Sequence, residues 1–220
     1  MERHRVMQMS ARSSRPFTTS IATRGGTLLK KMLIFLSSLV AIASYRYLFG
    51  SAAIPETIAA NRYFHGWVLV HAASSATALL LGPLQFVATL RQNRPHVHRS
   101  IGAMYVTACL AGGLSALPLA IGTVAGPVAT AGFSALGAAW MATTVVAVNS
   151  ILTGKVAAHR RWMIRSFALT LSAVTLRLYL FAAGMLGIDF FLAYPAIAWA
   201  CWLPNILLVE WYLRNGRATR

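Results

Sequence analysis

His98 and His159 stand in the same relation to the apolar stretches that follow them, since His98 is followed by Arg99 and His159 by Arg160. If both begin helices that run in one direction, their imidazoles can face each other and hold a b-type haem through two axial nitrogens. Neighbouring arginines would suit the haem propionates. The same residues admit a metal site, because His96-x-His98 together with His159 offers three imidazole nitrogens, although no cysteine or carboxylate stands near them in the sequence. They also admit a plain interfacial role, hydrogen-bonded to loop carbonyls or to lipid phosphate.

A second set lies deeper. His71 comes four residues into the apolar stretch that opens at Trp67, so about 6 Å below its surface at the helical rise. Ser75, Ala78, Gly82 and Gln85 continue its face at helical spacing. On a later stretch, His159, Ser166, Thr170, Ala173 and Arg177 form a similar stripe. Arg177 is fourteen residues beyond Met163, or about 21 Å along the helix from the other side. His71 and Arg177 therefore reach comparable depth, where an ionisable side chain should face protein or water and not lipid. The pair suits the path of a proton or small anion. The structural alternative is a neutral imidazole bonded across the bundle and an arginine that snorkels or bonds carbonyls. Gln85, Thr170, Asn205 and Glu210 complete the candidates for lining a ligand site or pathway, and Glu210 can pair with Arg165 or Arg161.

Other chemistries lack their residues. There is no Gly-rich phosphate loop and no His-Glu-x-x-His, and the acids Glu2, Glu56, Asp189 and Glu210 are far apart. Catalysis by paired carboxylates and a cation pore lined by acidic rings are both set aside. The protein is not expected to be an enzyme.

The elements that must position these groups are membrane-spanning helices. Of 220 residues, 57% are hydrophobic and 11% charged, with a mean hydropathy of +0.61. Six stretches, Leu33–Phe49, Trp67–Leu90, Ile101–Thr123, Ala129–Leu152, Met163–Leu186 and Phe190–Leu213, are of the length that crosses a ~30 Å hydrocarbon core. The apolar runs are continuous rather than alternating, which selects an all-α bundle over a barrel. The first span carries Arg46 near its end, where it can snorkel to the headgroups.

The net charge of +16 is distributed by side and does not indicate nucleic acid. Arg91, Arg94 and Arg99 lie between spans two and three; Lys155, Arg160, Arg161 and Arg165 between four and five; Arg214, Arg217 and Arg220 after the sixth. The other connections hold only Arg46 and Arg62. By the positive-inside rule both termini are expected in the cytoplasm of a bacterial cell, the protein sitting in the inner membrane, with basic loops that attract anionic lipid headgroups. Residues 1–31, rich in Arg, Ser and Thr, read as a disordered basic cytoplasmic tail and 214–220 as a short basic C-terminal one. The first of these also fits a mitochondrial transit peptide, but no secretory cleavage site is evident. Cys109 and Cys201 fall within spans and read as small apolar residues.

Small residues recur every fourth position on span three (Ala108, Gly112, Ala116, Ala120) and on span four (Ala131, Ala135, Ala139, Thr143, Ala147). Such faces let helices approach closely in lipid, so these spans are expected to form a tight antiparallel hairpin across Gly122–Thr130. The two His-Arg entries into the membrane form a faint internal echo.

Several segments together resemble a family of bacterial integral membrane proteins known as domain of unknown function 2306. They are Gly82-Pro83-Leu84-Gln85-Phe86, the run from His98 to Tyr105, the run from His159 to Thr170, Val174-Thr175-Leu176-Arg177, and Trp202-Leu203-Pro204-Asn205 with Glu210 beyond. The resemblance covers roughly residues 60–213. It implies a multi-pass bundle and no settled activity. The layout of His71, His98 and His159 is similar to that of di-haem cytochromes b, but no second histidine faces His71.

Overall fold

The computed structural model describes residues 18–49 and 56–215, and among them there is no strand. By its contacts the chain divides into 1–33 and 34–220. In the first unit the described residues are the opening turns of α1 (Thr18–Tyr45). Residues 18–31, expected as part of a disordered tail, are thus helical, whereas residues 1–17 and 216–220 of the expected tails lie outside the described residues. Hydropathy marks where a chain can enter lipid. Helical hydrogen bonding can begin earlier, and no proline interrupts it between Thr18 and Tyr45.

In the second unit, the end of α1 leads through a 3-10 turn at Arg46–Leu48 to the single turn α2 (Glu56–Ala59). There follow α3 (Phe64–Leu81), a 3-10 turn at Pro83–Phe86, α4 (Ala88–Asn93), α5 (Pro95–Ile121) and α6 (Gly126–Leu152). The remainder is α7 (Val156–Thr170), α8 (Ser172–Met185), α9 (Phe190–Ala200) and α10 (Leu203–Arg214). Among the described residues, six stretches are long and apolar enough to cross a membrane: Lys31–Leu48, Gly66–Phe86, Pro95–Ile121, Gly126–Leu152, Val156–Met185 and Phe190–Arg214. They match the expected spans to within a few residues at most ends.

The burial pattern is that of a bundle solvated by lipid. Phe35, Ile42, Phe181, Leu192 and Leu207 are exposed, while Ala78, Ala129, Ala147, Ser115 and Ser166 are fully enclosed. With no hydrophobic drive between helices in lipid, close packing of small residues and interhelical hydrogen bonds hold the bundle.

The expected hairpin of α5 and α6 forms, but α6 meets α5 on a different face. Gly137 packs on Gly113, whose carbonyl would lie 3.4 Å from a Cβ on Gly137, and Trp140 fills the space that a Cβ on Gly112 would need. Ala131 is exposed, and Ala135 and Ala139 are half-buried. Four steps of four residues carry a row about 160° around a helix, so the stripe from Ala131 to Ala147 cannot stay on one face.

Three spans are jointed. Pro83 has no N–H to continue α3, whose end is marked by the Gly82 N–H donating to Ala78 O at 2.8 Å. The fifth span turns at Leu171, where the Val174 N–H tightens onto Leu171 O at 2.9 Å before α8 resumes. The sixth turns at Cys201–Trp202, ahead of Pro204.

Candidate functional site

A cavity of about 250 Å³ opens within the bundle, toward the end that carries α2 and away from the basic connections. His71 and Ser75 of α3 form one side and Arg177 of α8 another. Thr170 and Ser172 line it at the α7–α8 joint, and Cys201 at the α9–α10 joint. Thr57 and Asn61 stand at its rim; Phe133, Leu136 and Trp140 of α6 give it an apolar wall. The rim is fixed by Asn61, whose amide donates to Leu119 O at 2.7 Å, and by the Arg62 N–H donating to Gly122 O at 3.2 Å.

His71 and Arg177, expected at one depth, thus share one chamber with Thr170. The His71 Nδ1 lies 3.0 Å from the Gly112 carbonyl. A carbonyl only accepts, so Nδ1 carries a proton, and in the neutral ring the lone pair then stands at Nε2. Arg177 donates from Nη1 to Ala173 O at 2.8 Å and from Nη2 to the Ser44 hydroxyl at 2.7 Å. Both partners are neutral, and among the described residues no carboxylate lines the cavity. The described acids are engaged or exposed elsewhere: Asp189 caps α9 by accepting from the Phe191 and Leu192 N–H groups, Glu210 pairs with Arg165, and Glu56 is exposed. The guanidinium therefore brings an uncompensated positive charge, with donors to spare, to a largely apolar chamber.

Below the cavity, toward the basic end, lies a closed hydroxyl network. Thr170 Oγ1 is 3.0 Å from the Tyr105 hydroxyl, which is 3.0 Å from Ser166 Oγ, which is 2.8 Å from Thr144 Oγ1. The Trp140 indole N–H donates to Thr170 at 3.0 Å. Tyr105, Thr144 and Ser166 have no exposed surface. This network ties α5, α6 and α7 together and floors the chamber.

The other candidates fall elsewhere. His159 is half-buried, its Nδ1 2.9 Å from Ala147 O. His98 is half-buried with its Nδ1 enclosed and without a protein partner, and the buried Gln85 likewise leaves Nε2 unpartnered. None of these three lines the cavity. The three-histidine metal site does not assemble, because among the described residues no group of three or more His, Cys, Asp or Glu side chains is placed to hold an ion. His96 and His98 are on one helix two residues apart, where side chains point away from each other, and His96 is exposed. Asn205 does not line the cavity either. Its amide donates to Ala168 O, Thr175 Oγ1 and Cys201 O, and Thr175 also donates to Cys201 O, so the pair satisfies a carbonyl at the α9–α10 joint. Glu210 accepts from Arg165 Nε at 2.5 Å and Nη2 at 3.0 Å, and the guanidinium lies over the Trp162 ring. Of the two arginines offered for this pair, the structure selects Arg165.

The sequence alone does not single out Tyr105, Thr144, Ser44, Asn61 or Trp140 as members of this site. Ser166 and Thr170 were visible as a stripe, but nothing in the linear order says which hydroxyls on α5 and α6 meet it. Only Tyr105, in a motif run, carried a hint.

Fold and cavity together define a polytopic α-helical membrane protein with a polar-floored internal chamber. The family described as predicted membrane protein, DUF2306, matches residues 68–213, and the chain belongs to it. No curated protein and no solved structure matches the chain.

Proposed function

We propose that this protein binds a small monoanion with an apolar body in the chamber and carries it across the bilayer, as a transporter of small solutes. The observation that carries this reading is Arg177: a guanidinium on the wall of a cavity without a carboxylate, bonded to two neutral groups. A buried cation in lipid-zone surroundings is costly unless paired, and an anionic ligand supplies the pair. The Nε2 lone pair of His71 would accept from a hydroxyl or N–H on the same ligand, and the wall of Phe133, Leu136 and Trp140 suits an apolar body. The volume is slightly below the usual range for small-molecule sites, roughly 300–1,000 Å³, which favours a compact solute.

Benzenesulfonate is a suitable probe, a monoanion of a strong acid with a flat apolar body. Added to the purified chain in detergent, it should change tryptophan emission through Trp140 saturably and raise the thermal midpoint. Arg177→Gln should remove both effects. Binding that survives Arg177→Gln unchanged would sink the proposal.

The haem reading stands behind this one. The Ala147 carbonyl orients His159 with Nε2 free, which is how an axial ligand is held. The cavity, however, contains a single imidazole, that of His71, so a haem held by two histidines has no chamber there. An absorption spectrum after haem supplementation separates the readings, because a Soret band that is lost in His159→Ala would favour haem. The inner membrane of a bacterium, with the basic connections cytoplasmic, is the location this proposal adopts from the charge asymmetry.

A further inference from the structure

We infer that the chamber takes a hydroxylated aromatic carboxylate, its carboxylate held by Arg177, Tyr47 and Tyr194 and its ring hydroxyl by His71. The inference rests on the anion reading of the cavity and deepens it, since it names the class of solute and the residues that select it.

At the carboxylate end two phenols join the guanidinium. Tyr47, in the 3-10 turn after α1, and Tyr194 of α9 both line the chamber. They lie within electrostatic reach of Arg177 and of each other. Neither hydroxyl is bonded to another described residue. A donor left without an acceptor in apolar surroundings costs free energy, which an arriving acceptor recovers. The Tyr194 ring is gripped by two others, stacked on Phe190 at 4.4 Å and tilted against Phe133 at 5.2 Å between centroids. Its hydroxyl is therefore positioned before the solute enters. Arg177 spends one N–H of Nη1 and one of Nη2 on its own partners, which leaves the second N–H of each. A carboxylate only accepts, and its two oxygens take roughly four hydrogen bonds. The guanidinium fork and the two phenols supply donors to both oxygens.

The other polar end has a different character. His71 Nδ1 donates to Gly112 O, which leaves Nε2 as an acceptor. Ser75 Oγ stands 3.5 Å from the same Nδ1. Because Nδ1 carries a proton, the serine oxygen can only receive there, and its own O–H stays available to the chamber it lines. An acceptor and a donor one turn apart on α3 suit a hydroxyl, which donates and accepts at once. An N–H group only donates and would leave Ser75 unanswered.

Between the two ends the wall is carbon. Phe133, Leu136 and Trp140 line it, and the Trp140 indole N–H is already given to Thr170. A flat ring fixes the distance between its two polar groups, so it loses little internal freedom on entry.

The test is titration calorimetry on the purified full chain in detergent, with benzoate and its 2-, 3- and 4-hydroxy derivatives as probes. The tighter of 3- and 4-hydroxybenzoate should bind about fivefold more strongly than benzoate, the worth of one neutral hydrogen bond. The 2-hydroxy isomer, whose hydroxyl bonds its own carboxylate, should gain nothing. His71→Asn keeps a donor for Gly112 O and loses the acceptor at Nε2, so it should abolish the hydroxyl advantage and leave benzoate affinity within about twofold of the parent. Tyr194→Phe keeps the ring packing and should weaken benzoate and hydroxybenzoate alike, by about tenfold for a hydrogen bond to a charged group. Tyr47→Phe serves the same purpose if Tyr194→Phe fails to fold. Parent protein that binds benzenesulfonate but shows no hydroxyl advantage overturns this inference and spares the anion reading. An equal gain from the 2-hydroxy isomer, an advantage retained in His71→Asn, or full affinity in both tyrosine variants also overturns it. Failure of the parent to bind any of these anions overturns both.

Discussion

Trp140 donates its indole N–H to the hydroxyl of Thr170 across 3.0 Å, linking the middle of α6 to the last turn of α7. The bond joins the apolar wall of the chamber to its polar floor. Thr170→Val keeps the shape and removes the acceptor, leaving the indole N–H and the Tyr105 hydroxyl short of a partner. An unsatisfied buried donor costs about 1–3 kcal/mol, so Thr170→Val should lower the thermal midpoint in detergent clearly, and Thr170→Ser should lower it much less. A loss in Thr170→Ser that exceeds the loss in Thr170→Val would mean that the methyl, not the hydroxyl, matters.

Tyr105→Phe should be milder. Ser166 keeps Thr144, and Thr170 keeps both Trp140 and the Ser166 carbonyl. Interhelical hydrogen bonds in lipid are worth about 0.6 kcal/mol on average and at most about 1.7. The variant should therefore unfold within a few degrees of the parent, and a collapse of expression would contradict this account of the network.

Gly82, at the end of α3, packs against Phe167 of α7. A Cβ there would lie 2.5 Å from two carbons of the Phe167 ring, which itself lies tilted at 49° to Phe86 with 5.3 Å between centroids. Gly82→Ala should destabilise by roughly 1–3 kcal/mol through overpacking. Phe167→Leu made in the same chain should recover part of that loss; additive losses in the double variant would show that the ring is not the obstacle.

The Arg165–Glu210 pair fastens α10 to α7 near the basic end, with its side chains 19% and 31% exposed. Partial exposure screens the attraction, so Glu210→Gln should cost about 1 kcal/mol or less. Its thermal midpoint should respond less to added salt than the parent's does. A large salt-independent loss would indicate that the carboxylate does more than pair with Arg165.

Ligand binding should report on His71 and Arg177 unequally. At a benzenesulfonate concentration of about one hundred times Kd, the parent should gain about 2.7 kcal/mol. Arg177→Gln should lose nearly all of this gain. His71→Gln, which removes one acceptor and no fixed charge, should keep much of it. The ratio of the two midpoint shifts measures how far charge, and not hydrogen bonding, holds the anion.

The spans were legible because length and hydropathy are local properties: Phe190–Leu213, read from its residues alone, ends one residue short of the observed Phe190–Arg214. The joints were partly legible, since Pro83 and Pro204 announce two of them, but Leu171 carries no such sign. The shared chamber of His71 and Arg177 followed from counting depth along two helices. Asn205, expected to line a ligand site, instead donates to Cys201 O, a need for a donor that the sequence cannot show. Tyr105 and Thr144 became part of the floor only through the way α5, α6 and α7 face one another, and that is a property of packing.

The two long continuous helices α5 and α6 differ in kind from the jointed pairs α7–α8 and α9–α10. Joints at Leu171 and Cys201 both border the chamber, with Arg177 just beyond one and Tyr194 just before the other. On the proposed transport function, alternating exposure of a bound solute to the two sides of the bilayer would come from a pivot of α8 and α9 at these joints, with α5 and α6 standing still.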